Sequence, residues 1–288
     1  MVRPRARGAE VGVHHAETEP GGGRLRTSGH RGMAAVYNVV KLDAMAIQRD
    51  QVAVATVALS VLGTLAVTTA GVFEHRLPGW SDWFPFVIAV SLVQGPGGFG
   101  LLFGLLMVDE AETGVREALA VSPVRPTLLI TIRTIVPTVW MCVWPPVSIW
   151  LMNSTWQAIN LHPGEWLAVV GPLALLTPAL ALLIPTIAAD KVGALAVFKA
   201  LSFVMLAPLA LYFIRETAWY RPFFLASPSG WSIEAYRAFL AEDSSYGPAL
   251  GDRWTSGYLW ACGGAAYALV LLAISVHFFR RNVYRSYG

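Results

Sequence analysis

Six apolar segments constrain this chain more than any other feature: roughly 52–73, 83–108, 127–152, 166–188, 194–214 and 256–279. Crossing the hydrocarbon core of a bilayer takes about 20 apolar residues in a helix. Lipid offers the backbone no hydrogen bonds, so each run must satisfy its own N–H and C=O groups, and a helix does this. Composition agrees, since 55% of the residues are hydrophobic and 14% are charged, against roughly 25% charged in a soluble domain. The expected fold is an all-α integral membrane protein with six transmembrane helices. The third and fourth segments carry Pro137, Pro145 and Pro146, and Pro172, Pro178 and Pro185. Such prolines kink a membrane helix without forbidding it, where neighbours satisfy the freed carbonyls.

Basic residues set the orientation. With both termini in the cytoplasm, 16 of the 21 Lys and Arg fall on the inner side. Arg76, Arg215, Arg221, Arg237 and Arg253 remain outside. The expected location is the cell membrane, multi-pass, with cytoplasmic termini. The net charge of +3 does not point to nucleic acid, because the cations flank apolar segments and form no single stripe.

Residues 1–32 hold Arg3, Arg5, Arg7, Arg24, Arg26, Arg31 and the run Gly21-Gly22-Gly23, with almost no apolar side chains. They read as a disordered basic extension before a six-span domain, 33–288. No apolar stretch of signal-peptide type occurs in them. Translation from Met1 and from Met33 both stay open. Ala34 to Asp50 places Val36, Val39, Val40, Ala44 and Ile47 at near-helical spacing. This suggests an interfacial helix on the inner leaflet; a plain extension of the first span is the alternative.

Cys142 and Cys262 lie inside apolar runs and read as small buried hydrophobes, with no disulfide framework or metal site. Gly95-Pro96-Gly97-Gly98-Phe99-Gly100 fits G-x-G-x-x-G but lacks the strand and the βαβ unit of a dinucleotide site. Gly100 and Gly104 instead form a GxxxG, which lets two membrane helices approach closely. The local Gly and Pro also suggest a loosened second span with carbonyls exposed along a pathway. No P-loop, H-E-x-x-H or G-x-S-x-G occurs. The mid-span regions hold no acid or base, with Arg133, Glu165, Asp190, Lys191 and Lys199 read as edge residues. A mid-membrane charge costs about 2.5–3.5 kcal/mol and marks function, so its absence argues against an ion-coupled carrier. Polar mid-span residues are Thr68, Thr69, Ser91, Gln94, Ser148 and Ser202; of these Thr69 and Gln94 are the pathway candidates.

Two apolar helices can turn round in a handful of residues, yet 109–126 (DEAETGVREALAVSPVRP) spends eighteen. Asp109, Glu110 and Glu112 suit a helix N-terminus. Glu112 and Arg116 are spaced i,i+4 to pair, and Ser122-Pro123 stops a helix. The reading is a short cytoplasmic helix that docks a soluble partner; a solvated connector is the alternative. Outside, the loop 215–255 carries Trp219, Tyr220, Phe223, Phe224, Trp231, Tyr236 and Phe239, expected to anchor at the headgroup level. Ser232 to Leu240 reads as an amphipathic helix capped by Ser232.

Three places resemble the permease subunits of ABC-2 type transporters. They are Lys41-Leu42-Asp43 through Arg49-Asp50 before the first span; Glu110, Glu112, Gly114, Leu119, Ser122 and Pro123 in the coupling stretch; and Pro228 with Trp231 before the last span. The last is similar to the drug or fluoroquinolone export subgroup. The resemblance implies a pathway formed by two permeases, identical or not, above two ATP-binding subunits that hold ATP and Mg. This chain then holds no cofactor and is not itself an enzyme. It implies that Asp109, Glu110, Glu112, Gly114, Arg116 and Glu117 contact the ATPase through a coupling helix. Two other classes stay in view. A membrane enzyme acting on lipid could draw only on Glu216, Glu234, Glu242, Asp243 and Asp252, and a secondary carrier would need the charge the mid-spans lack.

Overall fold

A computed structural model describes residues 51–73, 79, 81–114, 126–157, 159–214, 219–240 and 253–284, and the separate helical positions Tyr37, Lys41, Met45, Gln48 and Arg49. Among the described residues every regular element is helical. The helices are α1 (Gln51–Val72), α2 (Phe84–Glu112), α3 (Pro126–Trp156), α4 (Pro163–Ile187), α5 (Lys191–Leu206), α6 (Pro228–Leu240) and α7 (Arg253–Phe279). A 3-10 stretch, Ala207–Tyr212, extends α5, and a π-helical turn, Arg280–Tyr284, follows α7. Six helices are long and apolar enough to cross a membrane: α1 to α4, α5 with its 3-10 extension, and α7. The basic extension 1–32, most of the interfacial helix 34–50, Arg116, Glu117 and Ser122-Pro123 lie outside the described residues.

Local chemistry sets the helix ends. At the start of α4, Glu165 accepts from the His162 N–H (2.7 Å) and His162 Nδ1 accepts from the Gly164 N–H (3.2 Å), a reciprocal cap with Pro163 in the first turn. Asp190 caps α5 by accepting from the Gly193 N–H at 2.6 Å. The end of α2 differs from the sequence reading. Its helix runs unbroken from Phe84 to Glu112 and stops at Thr113 and Gly114, where Gly114 takes φ +72°. Asp109, Glu110 and Glu112 therefore occupy the last turn of a membrane span and do not open a new helix. Acids are unfavourable at that end of the helix dipole, and cations from α3 and α5 offset them, as described below.

α4 is the central post. Of its most apolar window 72% is buried, against 11% in α1 and 28% in α5. It packs against α2, α3, α6 and α7. Solvent exclusion cannot bring helices together in lipid, so close approach and dispersion must do it. The α2–α4 contact provides this: a Cβ on Gly100 would stand 2.9 Å from Leu180 Cβ and 3.2 Å from the Thr177 carbonyl oxygen. One on Gly104 would stand 2.8 Å from Ile184 Cδ1 and 3.3 Å from the Ala181 carbonyl oxygen. The prolines inside α3 and α4 leave both helices continuous. Pro96 does the same in α2, and its i−4 residue Leu92 is buried, so no loosened stretch exposes that carbonyl. Cys142 and Cys262 are exposed on the surface of the bundle, not buried as the sequence suggested.

α6 overturns the reading of its own aromatics, Trp231, Tyr236 and Phe239, as surface anchors. It begins at Pro228, ahead of Ser232, and nearly every side chain from Ser229 to Leu240 is buried against α4 and α7. Trp231 explains the Pro-x-x-Trp spacing. Pro228 starts the helix, and the indole three residues on lies over Gly263 and Gly264 of α7 and donates to the Leu225 carbonyl at 2.8 Å. Tyr236 and Phe239 belong to the main core with Phe84, Ile88, Met141 and Leu173. Trp219, Tyr220 and Phe223 remain exposed, where headgroups can take them. The amphipathic pattern of α6 was legible, but the partner of its apolar face is protein.

Gly→Ala substitution separates packing from helix propensity. Ala gains about 1 kcal/mol over Gly inside a helix, and a Cβ at Gly171 of α4 meets nothing within 4 Å. Gly171→Ala is expected to leave unchanged or raise the melting temperature of the detergent-purified protein. Gly100→Ala and Gly104→Ala are expected to lower it, because overpacking costs about 1–3 kcal/mol.

Candidate functional site

Between α1, α2, α3 and α5 lies a cleft of about 400 Å³, within the range of about 300–1,000 Å³ typical of small-molecule sites. Thr56, Ser60, Gly63 and Thr64 line it from α1; Ser91, Gln94, Gly97 and Phe99 from α2. Trp144, Pro145 and Ser148 come from α3, and Phe198, Ser202 and Met205 from α5. No Asp, Glu, Lys or Arg is among the residues lining it. Three of its six hydroxyls are tied back to their own helix. Thr64 donates to the Ser60 carbonyl (3.0 Å), Ser91 to Val87 (3.1 Å) and Ser148 to Trp144 (2.7 Å). Ser60 Oγ accepts the Trp144 indole N–H at 2.8 Å, fixing α1 to α3. This bonding satisfies polar groups in lipid and leaves the Gln94 amide as the largest polar group turned to the opening. The aromatic wall extends outward, with Trp140 stacked on Trp144 (centroids 6.3 Å apart) and edge-on to Phe99 (5.7 Å).

Of the polar mid-span residues read from the sequence, Ser91, Gln94, Ser148 and Ser202 meet in this cleft. Thr69 does not. It is exposed on α1 and donates to the Ala66 carbonyl at 2.9 Å. Sequence reasoning missed Thr56, Ser60 and Thr64. Their i, i+4, i+8 spacing on α1 was the available signal.

Charged groups gather at the two ends of the bundle. At the end where α2 stops and α3 begins, called the inner end, Arg133 of α3, buried, donates to Glu110 of α2. Lys191, at the start of α5, pairs through Nζ with Asp109 at 2.8 Å and donates its backbone N–H to Glu112 at 2.9 Å. The three acids closing α2 thus hold the inner ends of α3 and α5, both walls of the cleft. At the outer end Arg221 grips Glu234 of α6 with Nε (3.1 Å) and Nη2 (2.8 Å), and Arg237 stands 3.6 Å from the same carboxylate. Glu234 is the one acid of the outer-loop set among the described residues, and this pair occupies it. Lys199 is not at the edge of its span. It lies eight residues into α5, about 12 Å along the helix axis, and is exposed. Among the described residues no group of three or more His, Cys, Asp or Glu could hold a metal.

These features define a class: an all-helical, multi-pass membrane protein with an uncharged, mainly apolar cleft of small-molecule size, carrying a few hydroxyls and one amide, between its spans. The chain belongs to the Rv2686c-like family, described as fluoroquinolones export permease proteins, whose sequence model matches residues 43–276. By family it is an export permease, a transporter, and the resemblance to drug-export ABC permeases holds. No individually curated protein matches it.

The inner ion pairs differ in burial, and so in expected cost. Removing one partner of a buried pair costs about 3–5 kcal/mol, whereas exposed pairs contribute about 0–1 kcal/mol. Arg133 and Glu110 side chains are 4% and 24% exposed; Lys191 and Asp109 are each 40% exposed. Glu110→Gln is expected to lower the melting temperature clearly more than Asp109→Asn. Adding Arg133→Met to Glu110→Gln is expected to recover part of the loss in a double-mutant cycle.

Proposed function

We propose that this chain is the membrane-spanning permease subunit of an ATP-driven ABC-2 type exporter. Residues 33–288 act as one permease domain. The pathway forms between two permeases, and separate ATP-binding subunits hold ATP and Mg and supply the energy. The single observation that carries this reading is the tie between the inner end of α2 and the cleft. The segment after Gly114 joins α2 to α3, and Glu110–Arg133 and Asp109–Lys191 link the end of α2 to α3 and α5. A displacement of that segment by a soluble partner therefore reaches three of the four helices around the cleft.

In this reading Asp109, Glu110, Glu112, Gly114, Arg116 and Glu117 form or support the contact with the ATPase on the cytoplasmic face. Absence of a P-loop in the sequence fits an energy source in another chain. The largely exposed helices α1 and α5 flank the cleft, so a second permease apposed there, a copy or a relative, would close it into a pathway. The family's description suggests planar aromatic drugs of the fluoroquinolone class as cargo.

Affinity purification from native membranes in mild detergent is expected to recover a soluble P-loop ATPase in near-stoichiometric amount. In proteoliposomes of that complex, Glu112→Lys and Gly114→Pro are expected to abolish ATP-dependent drug transport while ATP turnover persists. Proline cannot adopt the positive φ of Gly114, and Lys at 112 repels Lys191. Coupled transport unchanged in both variants would overturn the assignment.

A further inference from the structure

Lys199 is a cation that the fold places beside the uncharged cleft and that no ion pair explains. Lys199 follows Phe198 and precedes Ser202 by three residues, and both of those line the cleft. At about 100° per residue, Lys199 sits at the margin of the lining face of α5 and nearer its inner end than Ser202. Lys199 has no ion pair or hydrogen bond among the described residues. The contrast with Arg133 and Lys191 matters, because those two cations of the inner end are already engaged by Glu110 and Asp109. An unpaired cation inside a membrane span is costly and is kept chiefly for function. A lysine on a helix also directs its chain towards the helix N-terminus, here the inner end of α5 and the mouth of the cleft.

We infer that Lys199 selects acidic amphiphiles: planar aromatic ligands whose carboxylate stays at the inner rim while the ring system enters the cleft. The dimensions support this. The cleft offers aromatic faces at Phe99, Trp144 and Phe198, and its three back-bonded hydroxyls cannot donate to an anion. A carboxylate drawn fully inside would lose its hydration with few donors to replace it. Held at the rim it keeps water and gains a charge-assisted hydrogen bond. Lys199 is thus a specificity-determining residue of the transport site, and the inference rests on the exporter reading above.

The test uses the full chain with whatever co-purifies, in nanodiscs of phosphatidylcholine, and two fluorescent probes with one ring system: ciprofloxacin and its methyl ester. A hydrogen bond to a charged group is worth about 1.5–3 kcal/mol, which is roughly a tenfold to hundredfold change in affinity. Lys199→Met is expected to weaken ciprofloxacin about tenfold or more, to leave the ester unchanged, and to be rescued by Lys199→Arg. Equal binding of acid and ester by the unmodified protein, or equal loss of both in Lys199→Met, overturns the inference. So does a Lys199→Met effect that appears only when phosphatidylglycerol is added, for the cation then serves lipid headgroups. Binding needs no ATP, which separates the two readings. Failure here with an ATPase still co-purifying leaves the exporter reading standing, and acid selectivity with no ATPase partner removes that reading and keeps the site.

Discussion

The approach of α2 to α4 at Gly100 and Gly104 is the contact on which the rest of the bundle depends. Lipid supplies no driving force for burying leucine against leucine, so a membrane core holds where backbones come close enough for dense van der Waals contact. The two glycines remove the side chains that would keep α2 away from Thr177, Ala181 and Ile184. With α2 seated on α4, α3 and α7 pack on the remaining faces of the post, and α6 fills its outer end. Gly263 and Gly264 repeat the device on α7, where they make room for Trp231.

The same arrangement explains why the cleft lies where it does. α1 is held mainly to α3, through Ser60 with Trp144, the Thr68 carbonyl with Thr155 and the Val67 carbonyl with Trp156. α5 leans on α2 from the other side. Between them α2 presents Gly97 and Gly98, two positions without side chains that leave space, while Gly95 makes room for Met141 of α3. The cleft is therefore a consequence of small residues in the middle of α2, while those nearer its inner end serve packing against α4. One glycine-rich helix performs both tasks on different faces.

Charge is distributed with the same economy. Each end of the bundle is tied by a carboxylate–arginine pair, Glu110–Arg133 within and Arg221–Glu234 without, and the space between is neutral. Buried pairs of this kind fix geometry more than they stabilise. The inner pair fixes the ends of α2 and α3, two walls of the cleft, and the outer pair fixes Arg221 onto α6, while the cleft itself is lined by uncharged residues.

Much of this was legible in the sequence. Six apolar runs of sufficient length dictate six helices, because lipid leaves the backbone no alternative, and the GxxxG, the Pro-x-x-Trp and the mid-span Ser and Gln were all visible as residues. Sequence spacing could not say which surface each would meet. The acids at 109–112 suit the start of a helix by local rules, yet α2 runs through them because Arg133 and Lys191 compensate their charge from other helices. The stripe of α6 suits a membrane surface equally well, and only packing against α4 and α7 turned it inward. Thr69 and Gln94 looked alike as isolated polar residues, and the rotation of α1 and α2 about their axes separated them. The sequence alone determined the number, length and kind of the elements, since these follow from the solvent each segment must meet. Tertiary structure alone decided which faces meet and where a cleft opens, since these depend on contacts between residues far apart in the chain.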